Sequence, residues 1–470
     1  MDLVMKIMFE VVGGLGLFLL GMRHLSDGLQ TLGGSRLRRM IGAVAENRFL
    51  AVAVGLFVTM IIQSSSITTC LVVGFVNSGF MTLAQAIGVI MGANIGTTIT
   101  GWILALHIGK YGLPLLGGAA LVYLFSRRER LRYWALVAMG LGMVFLGLEL
   151  MKNGFKPLRG SEHFMQWFSA FRAETYFGVL KCALTGCVLT CIVQSSSATL
   201  GITIGLAFTG VIDFHTAAAL VLGENIGTTI TAFLASIGTT TNARRAAYAH
   251  VLFNITGVLW ITTLFGPYIW FIEHYVVHDI SIAVIAEGAE TFPRTTPAIA
   301  AVHTIFNVAN VIFFLPFVRK LAKLLEFLVP NTDHTEEPHL TALDIRLLES
   351  PVIGVEQSRR EIMRMGEHAA EMMTHLRDVI TADQTDDATE RRVLHREEIL
   401  DIMQKEVVVY LTHILSAGNV PHAVTDQGRR QLRMADEYES VGDYGHTIAK
   451  LKHRLIDSGG AFTAEGAAEV

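Results

Sequence analysis

Long apolar stretches recur before residue 320, and they restrict the folds open to this chain more than any other feature. A helix needs about 20 mainly apolar residues to cross a bilayer. Several stretches reach that length, whereas Gly, Ser and Thr interrupt others. A soluble core of this apolarity would need more surface charges than this part of the chain holds. We therefore predict an all-α fold with a polytopic membrane domain over residues 1–328. Clear examples are residues 11–22, 49–62, 133–151, 251–266 and 308–318.

The charge of the chain changes sign along its length. Residues 1–330 carry a net charge of +7, whereas residues 331–470 carry −11. A polar segment with two prolines, residues 329–340, is typical of a linker between them. Apolar residues then recur at three- and four-residue steps, a pattern typical of amphipathic helices. We predict a soluble antiparallel helical bundle over residues 341–456 and a disordered tail over residues 457–470. The helices are expected near residues 356–380, 390–415 and 427–455.

Basic clusters lie beside the apolar stretches, at residues 36–39, 127–132 and 319–323. An excess of Lys and Arg marks the cytoplasmic ends of membrane-spanning segments. The last of these clusters leads directly into the acidic domain. We therefore expect the C-terminal domain to lie in the cytoplasm.

Two polar motifs each occur twice in this apolar chain. QSSS stands at 63–66 and 194–197, and NIGTTIT stands at 94–100 and 225–231, with 131 residues between the copies of each. The segments that contain them align without a gap, and 16 of 38 positions are identical. A period this long is too large for one solenoid unit, but it is typical of secondary transporters whose two halves are related by a pseudo-two-fold axis. The predicted units are two inverted repeats, about 10–110 and about 137–240, and extra helices over about 246–320.

The composition of both motifs indicates breaks in membrane helices. Three adjacent serines cover nearly the whole circumference of a helix, so they converge on one point only at a helix end or a re-entrant turn. Gly92 and Gly223 are expected to let the chain unwind near NIGTTIT. The N-terminus of a broken helix suits an anion, while carbonyl, amide and hydroxyl oxygens suit Na⁺. The alternative is that these Ser and Thr residues only pack or bond back to their own helix.

Three further features leave alternatives open. Ala93 of the first copy is replaced by Glu224 in the second, and a carboxylate there could assist a cation, carry a proton or lie at a water-exposed margin. Arg244 could attract an anion or simply mark a cytoplasmic edge. The pattern His-x-x-Phe-Asn, at 250–254 and 303–307, places His and Asn on one helix face. It could join helices or contribute ligands directly.

The paired QSSS motifs, each followed by G-x-N-I-G-T-T, resemble the type II sodium-dependent phosphate cotransporter family. The segment GLGLFLLGMRHLSDGL and the two His-x-x-Phe-Asn segments resemble its bacterial members. The resemblance implies import of inorganic phosphate with Na⁺ across a bacterial cytoplasmic (inner) membrane by alternating access. It also implies the substrate- and sodium-binding residues Gln63, Ser64, Ser65, Ser66, Thr68, Asn94, Thr97, Thr98, Gln194, Ser195, Ser196, Ser197, Thr199, Asn225, Thr228 and Thr229.

The segment DEYESVGDYGHTIAKL, at 436–451, resembles the PhoU family of phosphate-uptake regulators. In that family an E-x-x-x-D pattern can bind metal ions. This role carries over to Glu439 and Asp443, and Glu397 and Asp401 form a second such pair. The resemblance covers about one PhoU-like half, so a complete divalent-metal cluster would require a homodimer. The alternative is a solvated acidic face.

Two other functions remain open at the level of sequence. The chain could be a membrane sensor that binds an anion and signals through the helical bundle, or a Na⁺-coupled transporter of another oxyanion or a carboxylate. No nucleotide-binding loop, nucleophile elbow or zinc motif is visible in the membrane domain, so no enzymatic activity is expected. The expected partners are phosphate and the lipid bilayer, and no nucleic acid.

Overall fold

The chain forms two compact units, Met1–Thr332 and Asp333–Val470. Most of the predicted linker (331–340) and of the predicted tail (461–470) lies outside the described residues. The structure, a computed structural model, describes residues 3–42, 47–77, 81–106, 111–160, 171–237, 239–286, 289–330, 351–381, 387–416, 420, 422–458 and 460.

The first unit is helical, as the apolar stretches predict, apart from one short antiparallel strand pair that matches Val284 with Thr291. Among its described residues, seven helices are long and apolar enough to cross a membrane. The helices are α1 (Leu3–Gly42), α2 (Arg48–Ile62), α3 (Ser65–Asn77), α4 (Leu83–Thr97), α5 (Ile99–Ala105), α6 (Gly112–Phe125), α7 (Glu129–Phe155), α8 (Tyr176–Val193), α9 (Ser196–Phe208), α10 (Phe214–Gly227), α11 (Thr229–Ala235), α12 (Thr241–Thr263), α13 (Phe265–Phe271), α14 (Thr295–Phe314) and α15 (Val318–Leu328). Smaller elements are β1 (Val284–Ala286), β2 (Ala289–Thr291), a π-helical turn (Ile272–Val276) and 3₁₀ turns (Lys156–Gly160 and Leu315–Phe317).

The sequence repeat is also a repeat of local structure. Helices α2 to α5 correspond in order and length to α8 to α11. Even the caps correspond, because Thr82 accepts a hydrogen bond from Gln85 N at the start of α4, and Asp213 accepts one from Thr216 N at the start of α10. Short polar side chains are favoured at this position because they satisfy an N–H that lacks a helical partner.

Gly92 and Gly223 allow close helix packing rather than unwinding. Both lie inside regular helix, since α4 continues to Thr97 and α10 to Gly227. A Cβ on Gly92 would collide with the carbonyl oxygen of Val52 on α2, and one on Gly223 with that of Ala183 on α8. The expectation that these glycines unwind the chain was therefore wrong. Their missing side chains let the backbones of α2 and α4, and of α8 and α10, approach closely.

The contacts between the two repeats are reciprocal. Helix α12, which carries the first His-x-x-Phe-Asn, packs on α3 and α4 of the first repeat and on α10 and α11 of the second. Helix α14, which carries the second copy, packs in the same way on α9, α10 and α5. In addition, α3 contacts α11, and α5 contacts α9. Each repeat thus completes the packing of the other around α12 and α14.

The second unit is a three-helix antiparallel bundle, as its amphipathic pattern predicts. Its helices are α16 (Pro351–Thr381), α17 (Asp387–Ser416) and α18 (His422–Asp457). Residues further along α17 contact residues further back along α18, as the pairs Glu390–His453, Glu397–His446 and Gln404–Asp436 demonstrate. The buried core consists of Leu, Ile, Val, Met and Ala side chains from all three helices, together with Tyr410.

Candidate functional site

Both QSSS motifs form sharp breaks between two helices. Gln63 ends α2 and Gln194 ends α8, each in the left-handed backbone region, with φ of 57° and 54°. Among the described residues only Asp279 shares a positive φ without being glycine. Such a conformation costs about 1 kcal/mol or more for a residue with a side chain. Two glutamines at equivalent positions therefore hold the same strained turn, which indicates a functional need for the turn or the side chain.

The first serine of each motif starts the next helix. Ser64 Oγ accepts a hydrogen bond from Ile67 N at 3.3 Å, and Ser195 Oγ accepts one from Ala198 N at 3.2 Å. These caps begin α3 and α9 directly after the break. The threonine that follows each serine run donates to the carbonyl of the capping serine, Thr68 to Ser64 and Thr199 to Ser195.

The remaining serines lie in the first turns of α3 and α9. Ser65 is buried, and Ser66, Ser196 and Ser197 are half-buried. Within the described part of the chain, none of these four hydroxyls makes a hydrogen bond. Helix N-termini carry N–H groups without helical partners and a partial positive charge. Each break thus combines such an N-terminus with serine hydroxyls that are available to an anion.

The two glutamines differ in their side chains. Gln63 is buried; its Nε2 donates to Met60 O at 2.6 Å, and its Oε1 accepts from Thr100 Oγ1 at 3.3 Å. Gln194 is exposed, and its side chain makes no hydrogen bond within the described residues. Contacts within the first repeat therefore hold the Gln63 side chain in place, whereas the Gln194 side chain is available to a ligand.

The NIGTTIT motif interrupts its helix at a single position. α4 and α5 meet at Thr98, and α10 and α11 meet at Thr228, both with dihedral angles near those of a helix. The threonine hydroxyls bond back to their own helix: Thr97 to Ala93 O, Thr98 to Ile95 O, Thr228 to Glu224 O and Thr229 to Ile226 O. Each hydroxyl oxygen still has a lone pair for a cation.

The asparagines of NIGTTIT are held by the His-x-x-Phe-Asn helices. Asn94 Nδ2 donates to Asn254 Oδ1 at 2.9 Å, and His250 Nε2 lies 3.2 Å from Asn94 Oδ1. In the second half Asn307 Nδ2 donates to Asn225 Oδ1 at 3.1 Å, and His303 Nε2 lies 3.3 Å from the same oxygen. Asn254 and Asn307 also donate to the carbonyls of His250 and His303. The helix-joining alternative for His-x-x-Phe-Asn is therefore observed.

Glu224 and Arg244, the two additional candidates, lie in different settings. Glu224 is 1% exposed, and its Oε1 accepts a hydrogen bond from Thr203 Oγ1 at 3.0 Å. The alternative that Glu224 lies at a water-exposed margin is therefore wrong. Arg244 lies at the start of α12 and donates to Thr241 Oγ1 at 3.2 Å. The neighbouring Arg245 is buried and donates to backbone carbonyls of residues 326 and 329.

Sequence reasoning missed two residues and one set of partners in these contacts. Thr203 was not selected, although Val72 stands at the equivalent position of the first repeat and the difference was visible. Thr100 lies inside NIGTTIT but was not linked to Gln63. The pairing of Asn94 with His250 and Asn254 joins positions about 160 residues apart, for which a single sequence holds no signal.

The acidic residues of the C-terminal bundle lie on α17 and α18. Burial, followed by the charges of Asp443, Asp401 and Asp436, raises the pKa of Glu439. Glu397 pairs with His446 at 3.0 Å, and Asp401 with Lys405 at 2.6 Å. In the part of the chain that the structure describes, no group of three His, Cys, Asp or Glu residues is placed to hold a metal ion. The metal site thus stays a prediction.

Models of two protein families match this chain. A model of the Na⁺/Pi-cotransporter family matches residues 17–153 and 159–286, more than half of the chain. The chain belongs to the Na⁺/Pi-cotransporter family. A PhoU domain model matches residues 362–451. Both resemblances from the sequence are confirmed, and so is the expectation of a transport protein rather than an enzyme. With its seven apolar helices, the family member is a membrane protein.

Individual relatives share moderate identity. YjbB of Escherichia coli strain K12, which is named for inorganic phosphate export, is 25% identical over 413 residues, 87% of this chain and 72% of YjbB. The uncharacterized protein YqeW of Bacillus subtilis is 29% identical over 67% of this chain and 95% of its own length. The human sodium-dependent phosphate transport protein 2B is 39% identical over 98 residues, 20% of this chain and 14% of that protein. No solved structure matches the chain.

Proposed function

We propose that this chain imports inorganic phosphate with Na⁺ across a bacterial cytoplasmic membrane by alternating access. The observation that carries the proposal is the duplicated QSSS break, in which a strained glutamine precedes a helix N-terminus with available serine hydroxyls. Membership of the Na⁺/Pi-cotransporter family supports phosphate and Na⁺ as the transported species.

The anion is assigned to the two breaks together. Phosphate is small, and its oxygens accept several hydrogen bonds at once, which suits N–H groups and hydroxyls at two helix N-termini. Ser65 and Ser66 would contribute from the first half, and Ser196 and Ser197 from the second. Gln194, whose side chain is exposed and whose backbone is strained, would contribute its amide.

The coupling Na⁺ ions are assigned to oxygens beside these breaks. Na⁺ is a hard cation that prefers carbonyl and hydroxyl oxygens. The candidates in the first half are Gln63, Ser64, Thr68, Asn94, Thr97 and Thr98. Those in the second half are Ser195, Thr199, Asn225, Thr228 and Thr229.

Alternating access requires two halves that can exchange roles. The reciprocal packing of α12 and α14 on both repeats supports two halves related by a pseudo-two-fold axis, which we propose to be inverted in the membrane. On this proposal the PhoU-like bundle lies in the cytoplasm and regulates transport.

Export of phosphate is a second candidate, because YjbB carries a name for export. A Na⁺ symporter moves phosphate in the direction of the Na⁺ gradient, which in a living bacterium is inward. Export would therefore need another driving ion or a phosphate gradient that exceeds the Na⁺ gradient.

Uptake into proteoliposomes tests the proposal. Purified protein would be reconstituted, and entry of labelled phosphate would be measured with an inward Na⁺ gradient, with an equal K⁺ gradient and with no gradient. The proposal expects rapid uptake only with Na⁺, with little inhibition by sulfate or carboxylates. Phosphate uptake at the same rate with and without a Na⁺ gradient would contradict the proposal. Phosphate binding without any flux would also contradict it and would favour a membrane sensor.

A further inference from the structure

The carboxylate of Glu224 is buried without a neutralising partner. Its side chain lies on α10 and is 1% exposed. Oε1 accepts a hydrogen bond from Thr203 Oγ1 at 3.0 Å, whereas Oε2 is buried and has no hydrogen-bond partner within the described residues. A charged group is stable in such a place only when a cation or a proton removes its charge.

The described residues do not supply that charge. The helices packed against α10 are α8, α9, α11, α12 and α14. Within the described part of the chain, none of their side chains forms an ion pair with Glu224, and His303 Nε2 contacts Asn225 instead. The titratable and charged residues on these helices are Tyr176, Lys181, Cys182, Cys187, Cys191, Arg244, Arg245, Tyr248, His250 and His303.

The first repeat lacks both members of this pair. Ala93 occupies the position of Glu224, and Val72 occupies that of Thr203, in a segment where the surrounding G-x-N-I-G-T-T is identical. Both Ala93 and Val72 are buried, so the fold is satisfied by apolar side chains at these positions. Two contacting positions have thus become polar together in one half only, which indicates a ligand rather than a packing requirement.

We propose that Glu224 and Thr203 bind one monovalent cation, Na⁺ or a proton, that moves with phosphate and has no counterpart in the first repeat. Na⁺ would be held by Oε2 and the threonine hydroxyl oxygen, whereas a proton would reside on Oε2. Either species removes the buried charge. The role of a moving cation rests on the function proposed above, while binding itself does not.

The flux test compares Glu224→Gln with the wild-type protein and with Thr185→Val as control. Thr185 lies on α8 in the same half, and among the described residues its hydroxyl bonds only to Lys181 O. We expect the net charge moved per phosphate to fall by one in Glu224→Gln and to stay unchanged in Thr185→Val. A parallel fall in the Na⁺-to-phosphate flux ratio identifies Na⁺, and a loss of coupled proton movement identifies the proton. A variant that transports with unchanged charge, Na⁺ and proton ratios would overturn the proposal.

A binding test stands apart from transport. The thermal midpoint of the purified wild-type protein is expected to rise with added Na⁺ or with acid, because a cation that binds the folded state stabilises it. Glu224→Gln should lose the part of that rise that this site contributes, whereas the Na⁺-binding oxygens beside the breaks and the carboxyl of Glu361 keep their own contributions. Thr203→Val, whose side chain has a precedent in Val72, should bind the cation at this site several-fold more weakly. Equal rises in all three proteins would overturn the proposal even if the reconstituted wild type failed to transport.

Discussion

Asn94 on α4 donates a hydrogen bond to Asn254 on α12 across 2.9 Å, and both residues are buried. In the second half Asn307 on α14 donates to Asn225 on α10. The direction of the bond is reversed, because Asn225 uses its own amide to donate to Val221 O. The same residue types thus hold both NIGTTIT motifs, with a different hydrogen-bond arrangement in each half.

Asn254→Ala should destabilise the protein and reduce transport. It leaves the amide of Asn94 buried without its partner, which costs about 1–3 kcal/mol. Asn307→Ala should act in the same direction on the second half. Thermal unfolding and phosphate uptake of the purified protein measure both effects, with Thr263→Val, an exposed position of α12, as control. Uptake equal to that of the control would contradict a functional role for the asparagine pair.

Gly223→Ala should destabilise the packing of α8 on α10. The added Cβ meets the carbonyl of Ala183, so the helices must separate, with an expected cost of about 1–3 kcal/mol. Gly118→Ala on α6 is the matched control, since nothing lies within 4 Å of its Cβ position. There alanine should be neutral or stabilising by up to about 1 kcal/mol. Thermal midpoints that fall equally in both variants would refute close packing as the role of Gly223.

Gln194→Gly should separate stability from function. Glycine adopts the left-handed backbone region without strain, and no described side-chain bond of Gln194 is lost. The variant should therefore be as stable as the wild type or more stable by about 1 kcal/mol, yet transport phosphate more slowly. Gln63→Gly, which loses two side-chain hydrogen bonds, should be less stable. Full transport activity of Gln194→Gly would show that the Gln194 side chain does not contribute to the site.

The C-terminal bundle should lose stability as the pH rises from about 4.5 to about 7. Burial raises the pKa of Glu361 to about 7, in spite of its ion pair with Arg364 at 3.2 Å. The folded state therefore binds the proton more tightly than the unfolded state, and the free energy of unfolding falls through this window by up to about 3 kcal/mol. Glu361→Gln should abolish this fall, whereas Glu367→Gln, an exposed control, should retain it. Identical pH profiles of thermal unfolding in the two variants would contradict the assignment.

The sequence predicted the elements of the site better than their contacts. Three adjacent serines after Gln63 indicated a helix break because no helix face accommodates them, and the break is there. The unwinding expected at Gly92 is absent because a glycine can serve either backbone freedom or close helix packing, and the sequence alone does not distinguish the two roles. The pairing of Asn94 with Asn254 depends on the tertiary packing of α4 on α12, which hydrophobic periodicity cannot specify. Thr203 was visible only as a departure between the repeats.

We propose that the two QSSS breaks form one phosphate site rather than two. Equilibrium binding of labelled phosphate to the purified protein in Na⁺ tests it directly, in the wild type and in Ser65→Ala and Ser196→Ala. We expect one phosphate per chain, with affinity reduced at least about tenfold by either substitution alone, as expected for loss of a hydrogen bond to a charged ligand. Two phosphates per chain, or one phosphate that binds normally in either variant, would contradict it.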